Sequence, residues 1–278
     1  MHTIGYKNRV LRAFKSHRTH EPVDDRPRRH DGYGARGSGG VAAVTVAVVA
    51  GVGEGFGETI ARRLADAGYA VGLFARSADY LDDLAADIVD AGGDALAVPT
   101  DLSDPAAIVA GFDRVRDELG PTEVMIYNPS VPAPGHLFDV DLDAFETVYE
   151  VVLRGAFCVA REAIGDMLDA GGGTVIFTGT SIARRPFGNL IAWDTAGPAL
   201  RGLAGSLVHR FGPRGIHVAY VVVDGAIAGP GESAVDRDDD ALIDPESMAD
   251  TYLHLIEQEE HAWTFEIDLR ASGDELRF

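Results

Sequence analysis

A cluster of four glycines between an apolar run and an amphipathic segment constrains this chain more than any other feature. Residues 45–50 are apolar, rich in β-branched side chains and free of polar alternation, which predicts a strand that is covered on both faces. The glycine cluster fills residues 51–57, and Phe56, Ile60 and Leu64 then recur at helical spacing. A strand, a tight turn and a helix in this order predict the opening unit of an α/β fold.

The rest of the chain continues to alternate short apolar runs with amphipathic segments. Further strands are predicted over residues 70–75, 95–98, 124–127, 174–178, 216–223 and 263–268. Among the helices between them, the longest are predicted over residues 145–168, 195–211 and 245–259. This alternation predicts a parallel sheet with helices on both faces, so we expect a single doubly wound α/β domain over residues 42–278.

Residues 1–41 do not share this pattern. Their first 40 positions contain nine Lys or Arg residues against four acidic ones and end in a run rich in glycine. Such a polar, basic and glycine-rich segment predicts a disordered leader, to which we assign no function. Lys7 and Lys15 lie in it, and no lysine follows in the remaining sequence.

The formal net charge of −20 excludes some partners. An acidic surface repels phosphates, so we expect no nucleic-acid partner. The composition is similar to that of proteins from salt-loving organisms, although a GC-rich genome that favours Arg, Ala, Gly and Asp would also produce it. The single cysteine, Cys158, allows no disulfide framework, and we expect no metal site. No apolar run reaches the roughly 20 residues of a membrane span, so a cytoplasmic protein without membrane association is expected.

The placement of the glycine cluster favours nucleotide binding. A tight turn at this point needs backbone angles that a Cβ disfavours. A diphosphate must also approach the bare backbone closely at the N-terminus of a helix. The strand–turn–helix context therefore predicts a dinucleotide site at residues 51–57.

The spacing Gly51-x-x-x-Gly55-x-Gly57 resembles the TGxxxGxG loop of short-chain dehydrogenases/reductases, and the resemblance extends through most of residues 44–270. Asp101-Leu102 is similar to the family's adenine-contacting segment, and Tyr127-Asn128-Pro129-Ser130 stands where the family has NNAG. The resemblance implies a Rossmann fold, a nicotinamide dinucleotide cofactor, a small-molecule carbonyl or alcohol substrate, and a homodimer or homotetramer.

The resemblance also assigns cofactor-binding residues. They are Gly51, Gly53, Glu54, Gly55, Phe56, Gly57, Arg76, Asp101, Leu102, Asn128 and Pro129. The second predicted strand ends at Ala75 without the acidic residue that holds the ribose diol of NAD, and Arg76 follows as a donor suited to a 2′-phosphate. NADP is therefore the predicted cofactor. NAD is the alternative, because the carboxylate of Glu54 would repel phosphates.

The catalytic positions depart from the family. Its chemistry uses a tyrosine acid, a lysine that lowers the pKa of that tyrosine, a serine that polarises the carbonyl, and an asparagine. The resemblance places Trp193 at the tyrosine, Gly197 at the lysine and Thr180 at the serine. Val152, or Val151 in a shifted register, stands near the asparagine position. No register supplies the lysine, so the family's usual proton transfer is not expected.

The candidates for a catalytic role are therefore unusual ones. Thr180, Trp193 and Asp194 are the predicted catalytic residues, and Tyr127, Tyr149 and His136 are further groups that could lie near the pocket. Thr180 can hydrogen-bond a carbonyl oxygen, whereas the indole of Trp193 does not ionise usefully.

Two functional classes remain open. The first is an oxidoreductase in which an atypical group supplies the proton. The second is a catalytically inactive protein that binds the dinucleotide as a sensor or as a structural element. Elimination without a cofactor, the chemistry of some proteins with related folds, fits poorly because the glycine loop is kept.

Overall fold

The structure is a computed structural model that describes residues 44–229 and 242–273. The predicted leader over residues 1–41 lies outside the described residues.

Nine strands and seven α-helices make up the described residues. The strands are β1 (Val46–Ala50), β2 (Ala70–Ala75), β3 (Asp94–Pro99), β4 (Thr122–Tyr127), β5 (Gly173–Thr180), β6 (Ile216–Val223), β7 (Ala226–Ile227), β8 (Leu242–Ile243) and β9 (Glu266–Leu269). The helices are α1 (Phe56–Asp66), α2 (Ala78–Asp90), α3 (Pro105–Glu118), α4 (Leu142–Val148), α5 (Ala156–Ala170), α6 (Ile191–Phe211) and α7 (Pro245–Ile256).

The central sheet has seven parallel strands in the order β3-β2-β1-β4-β5-β6-β9, which confirms the predicted doubly wound α/β fold. Strands β7 and β8 form a separate parallel pair. The chain builds outward from β1 to β3 and then returns to β4, so the strand order reverses between β1 and β4. Open α/β sheets bind ligands in the crevice at the carboxyl ends of such strands.

Helices cover both faces of this sheet and enclose one apolar cluster on each. The two clusters divide the residues of β1 alternately, with Val46, Val48 and Ala50 on one face and Ala47 and Val49 on the other. This double burial is the reason that the strand shows no polar alternation in the sequence.

One predicted helix differs in the structure. Residues 145–168 were expected to form a continuous α-helix, but a π-helical segment, Tyr149–Gly155, separates α4 from α5. The buried Tyr127 hydroxyl donates a hydrogen bond to the Val151 carbonyl inside this segment. Gly155 packs so closely that a Cβ on it would clash with the carbonyl of Leu102. The widened turn therefore fits the helix against the end of β4.

Smaller differences concern element ends. Helix α6 begins at Ile191 instead of 195, and β9 begins at Glu266 instead of 263. Trp263 lies before the strand, and its ring stacks on His217 with centroids 5.1 Å apart. Within the described residues, no helix combines the length and the apolar character that crossing a membrane requires.

Candidate functional site

The turn after β1 is seated directly against the end of β4. Gly51 has φ of +100°, and a Cβ on it would lie 2.6 Å from the backbone of Asn128 and of Pro129. The Asn128 backbone N–H donates to Ala50 O at 2.8 Å, and the Asn128 side-chain amide donates to Gly51 O at 3.4 Å. Only glycine meets both the conformation and the close approach at this position.

Beyond Gly51 the turn leaves an open cradle. A Cβ on Gly53 or on Gly55 would meet no atom within 4 Å. Gly55 is the N-cap of α1, and no side chain caps the helix. The first turn of a helix carries backbone N–H groups without intrahelical partners, and these favour an anion. The cradle therefore fits the diphosphate of a dinucleotide.

Three other residues of the predicted cofactor set differ in how far they are buried. The Phe56 ring is buried and packs edge-on against Tyr252, with centroids 4.9 Å apart. Leu102 is also buried, and Glu54 is exposed. Phe56 can therefore offer a ligand its backbone amide but not its ring, because the ring belongs to the core.

Arg76 and Asp101 lie near each other beyond the ends of β2 and β3. Arg76 is exposed, and no hydrogen bond or ion pair joins its side chain to another described residue. The backbone N–H and the hydroxyl of Ser103 donate to Asp101 Oδ1 at 2.9 and 2.7 Å. These bonds, together with the positive charges of Arg76 and Arg154, lower the pKa of Asp101 despite its partial burial. The pair thus offers a free cation beside an ionised carboxylate.

Thr180 ends β5 and is partly exposed. Its Oγ1 accepts a hydrogen bond from the Ile182 backbone N–H at 3.3 Å. Because the oxygen acts as an acceptor in that bond, the hydroxyl proton remains available for a second partner.

Trp193 and Asp194 lie in the first turn of α6, and their polar atoms already have partners. The Trp193 indole N–H donates to Val131 O at 2.7 Å. The two Asp194 carboxylate oxygens accept from the backbone N–H groups of Phe187 at 2.9 Å and Gly188 at 2.8 Å. Asp194 therefore holds the loop between β5 and α6. The sequence analysis missed this contact, because Gly188, a residue typical of turns, is the only sequence feature that points to it.

The surroundings of the three remaining candidate residues do not favour a reactive role. Tyr127 is fully buried, which raises the pKa of its hydroxyl well above the ordinary value. The Tyr149 ring packs on Phe145, with centroids 5.0 Å apart. His136 is exposed and pairs with Asp139 at 2.9 Å. In residues 44–229 and 242–273, no three or more His, Cys, Asp or Glu side chains are grouped so that they could hold a metal ion.

Comparisons with known proteins agree with this geometry. The family model described as short chain dehydrogenase matches residues 45–238. The chain is 31% identical to the cis-4-hydroxycyclohexanecarboxylate dehydrogenase of Sinomonas cyclohexanicum over 64% of this chain and 72% of that protein. With several other curated relatives, the match spans about half of their length.

Solved structures are similar over most of the described residues. The crystal structure of a short-chain dehydrogenase from Rhodopseudomonas palustris has a TM-score of 0.72 and 28% identity, and the match covers 82% of this chain and 98% of that one. A metagenomic short-chain oxidoreductase in complex with NADP has a TM-score of 0.71 and 25% identity, and the match covers 83% of this chain and 99% of that one.

Proposed function

The chain belongs to the short-chain dehydrogenase family of oxidoreductases, and on that premise we propose that it transfers hydride between a nicotinamide dinucleotide and a carbonyl or alcohol substrate. The open cradle at Gly53 and Gly55, before the uncapped start of α1, carries this proposal. A bound nicotinamide dinucleotide supplies the hydride. The chain contributes the anion site at the helix start and the close seat of Gly51 against Asn128.

NADP is the proposed form of the cofactor. Arg76 stands at the end of β2, where a cation can bind a 2′-phosphate, and no described residue already neutralises it by an ion pair. The carboxylate of Glu54, which is exposed in the glycine turn, would repel the additional phosphate of NADP and so favours NAD. A solved relative is described in complex with NADP, which supports the choice.

Thr180 is the proposed polarising group. Its hydroxyl proton can bond the substrate oxygen, while the Ile182 N–H holds its oxygen in place. Trp193 is assigned a structural role at the start of α6, because its N–H is already bonded to Val131 O. Asp194 is assigned a support of the adjoining loop, because both of its oxygens accept backbone bonds. In this proposal the carbonyl carbon accepts the hydride, the oxygen takes its proton from a water molecule, and hydroxide is released to solvent. Water is an atypical donor for this chemistry.

The decisive experiment is a titration of the melting temperature with NADP and with NAD, at low and at high salt. Stabilisation by either dinucleotide supports the site, and a larger shift with NADP supports the cofactor assignment. The absence of a shift with both would overturn the proposal. Loss of NADPH absorbance with a panel of ketones, and its fall in a Thr180→Val variant, then tests turnover.

A second candidate function is dinucleotide binding without turnover, as a sensor or as a structural element. The engaged polar atoms of Trp193 and Asp194 favour it, as does the absence of any lysine after Lys15. It predicts thermal stabilisation by a dinucleotide without oxidation of NADPH over a broad carbonyl panel.

A homodimer or homotetramer is proposed for the assembly. The π-helical segment, α5 and α6 form a cavity of about 530 Å³ that is lined by Tyr149, Glu150, Leu153, Arg154, Phe157 and Leu203. The Phe157 side chain is 50% exposed there. A Phe157→Asp variant should reduce the mass measured by light scattering if this face joins subunits.

A further inference from the structure

Exposed apolar side chains concentrate on two loops beside the candidate site. Seven large apolar residues of the described chain are exposed, and four of them lie here: Leu137, Phe138 and Phe187 on the loops, and Leu142 at the start of α4. Phe138 is 89% exposed. We call residues 131–142 and 185–191 together the rim. Large exposed apolar side chains that cluster in this way mark a binding surface.

The rim is one structure, because backbone bonds join its two loops. The Gly135 N–H donates to Asn189 O at 2.9 Å, and the Ile191 N–H donates to Gly135 O at 3.1 Å. Asp194 adds the third support, since its carboxylate holds the two consecutive N–H groups of Phe187 and Gly188. These bonds tie the backbone of Phe187 to the first turn of α6, and so they limit where its ring can lie.

The rim continues directly from the candidate site. Its first loop begins three residues after Asn128, and its second begins five residues after Thr180. The bond from Trp193 Nε1 to Val131 O joins the inner end of the first loop to α6. A ligand that reaches Thr180 with its polar group can thus lay the rest of its frame along the rim.

The charges at the rim disfavour an anionic ligand. The Arg184 guanidinium is bound by both oxygens of Asp268, each at 2.8 Å, and by Glu266 at 2.6 Å. The Arg185 guanidinium lies over the Phe187 ring at 5.6 Å from the centroid. On the other loop, Asp139 pairs with His136, and Asp141 adds an exposed carboxylate. An uncharged apolar frame fits this surface better than a carboxylate does.

We propose that the rim binds the substrate, that the substrate is an uncharged ketone or alcohol with an apolar frame of two or more rings, and that Asp194 is a positioning residue for Phe187. The inference rests on the proposed function and names its substrate class. A single small ring that places its oxygen at Thr180 leaves the apolar side chains of the two loops uncovered, whereas a longer frame covers them.

The test is calorimetric titration of the full chain with three probes, both with saturating NADP and without it. Tetralone represents two-ring ketones, cyclohexanone one-ring ketones and pyruvate anionic ketones. We expect tetralone to bind about tenfold more tightly than cyclohexanone, because burial of several further carbon atoms contributes about 1.4 kcal/mol or more. Pyruvate should give no binding heat.

Variants assign the affinity to the rim. Phe187→Ser and Phe138→Ser should weaken tetralone binding about fivefold and leave cyclohexanone and NADP affinities unchanged. Val89→Ser is the matched control, because Val89 is 51% exposed on α2 and Phe187 is 49% exposed. Asp194→Ala should have the same selective effect, and Asp194→Asn a smaller one, because its amide oxygen can still accept one N–H. A merely structural role of Asp194 would weaken all ligands alike.

Several results would overturn the inference. Equal affinity for tetralone and cyclohexanone, binding of pyruvate, or unchanged tetralone affinity in Phe187→Ser would each do so. Rim variants that dissociate an oligomer in sedimentation but keep tetralone affinity would assign the rim to a second copy of the chain. If NADP does not bind, the proposed function fails, and the titration without NADP still decides whether the rim selects two-ring ketones.

Discussion

At the turn between β1 and α1 the chain leaves room for a ligand, whereas at the start of α6 it uses its polar groups internally. A Cβ at Gly53 or Gly55 would meet no atom within 4 Å, and no side chain caps the helix. In contrast, the indole N–H of Trp193 and both carboxylate oxygens of Asp194 are bonded to backbone groups.

In a dehydrogenase, the same edge of the sheet has to bind the cofactor and to transfer a proton. The difference between the two regions shows that these two requirements are separate. Binding of a dinucleotide needs bare backbone and space, and the first region provides both. Proton transfer needs a group whose pKa and position suit the reaction. Among the described residues, the second region has none with a free polar proton, and the candidate with a free hydroxyl proton is Thr180 at the end of β5. The first region can therefore remain functional even where the second has changed.

The largest expected effect comes from a double substitution in the second region. Trp193→Tyr with Gly197→Lys places a phenol and an amine at the positions that the family resemblance assigns to the acid and its lysine. General acid catalysis contributes about a hundredfold or more, so NADPH-dependent ketone reduction should rise by about that factor. Gly197 is buried, but a Cβ on it would meet its nearest neighbours at 3.5 Å, which is ordinary contact, so the backbone at this position accepts a side chain.

Each single variant is the control for this experiment, since neither supplies both groups. If turnover in the double variant stays at the wild-type level while dinucleotide affinity is unchanged, then the start of α6 lacks more for catalysis than an acid and its lysine.

The next largest effect is expected in the glycine turn. Gly51→Ala should lower the free energy of unfolding by about 2 kcal/mol or more, because the methyl group would lie 2.6 Å from the Asn128 backbone at a positive φ. Chemical denaturation measures this loss. Gly53→Ala should unfold like the wild type, because space surrounds it, but should bind NADP more weakly. Equal stability of the two variants would contradict the described seat of Gly51.

A third effect concerns the choice of cofactor in the first region. Arg76→Ala should weaken NADP binding about tenfold, or by about 1.4 kcal/mol, and leave NAD binding unchanged. Calorimetric titration with NADP and with NAD measures the two affinities. An Arg114→Ala variant, which removes an exposed arginine from α3, provides the control for general charge effects. A parallel loss for NADP and NAD in Arg76→Ala would argue against a contact with the 2′-phosphate.

The smallest effect is expected in the ion pairs that hold the second region to β9. Burial opposes ionisation of Glu266, but hydrogen bonds from Arg201 and Arg184 outweigh it and lower its pKa from the ordinary 4.5. A lowered folded-state pKa adds stability above the unfolded value, and this stability is lost as the pH falls through the folded pKa. Because both arginines are more than one third exposed, the contribution is about 1 kcal/mol.

Glu266→Gln should therefore be about 1 kcal/mol less stable than the wild type at neutral pH, and the two stabilities should converge as the pH falls below 4.5 and through the lowered folded-state pKa. Glu118→Gln breaks an exposed pair with Arg114 and should change little. A constant difference down to acid pH would show that the Glu266 carboxylate does not act through its charge.

Much of the fold could be predicted because its determinants are local. The apolar runs gave β1, β2 and β6 within a residue of their observed bounds, and the glycine spacing placed the turn before α1. The π-helical segment could not be predicted, because it depends on the Tyr127 hydroxyl and on the close packing of Gly155, which lie in different elements.

The candidate site divides in the same way. Gly51 and Asn128 could be proposed as site residues from the sequence, because a backbone requirement leaves a trace in residue type and spacing. The bond from Trp193 to Val131 spans 62 residues and ends on a carbonyl, which every residue type carries. No sequence pattern reports such a partner, so the sequence identified the residue but not the state of its polar atom.

The two indoles have very different surroundings, and this gives the protein its own optical probe. Trp263 is stacked on His217, whereas Trp193 is fixed by Val131 at the inner end of the loop after β4. Reduced nicotinamide absorbs where tryptophan emits. Energy transfer from Trp193 should therefore report occupancy of the pocket in an unlabelled sample, and a Trp193→Phe variant should lose most of that signal.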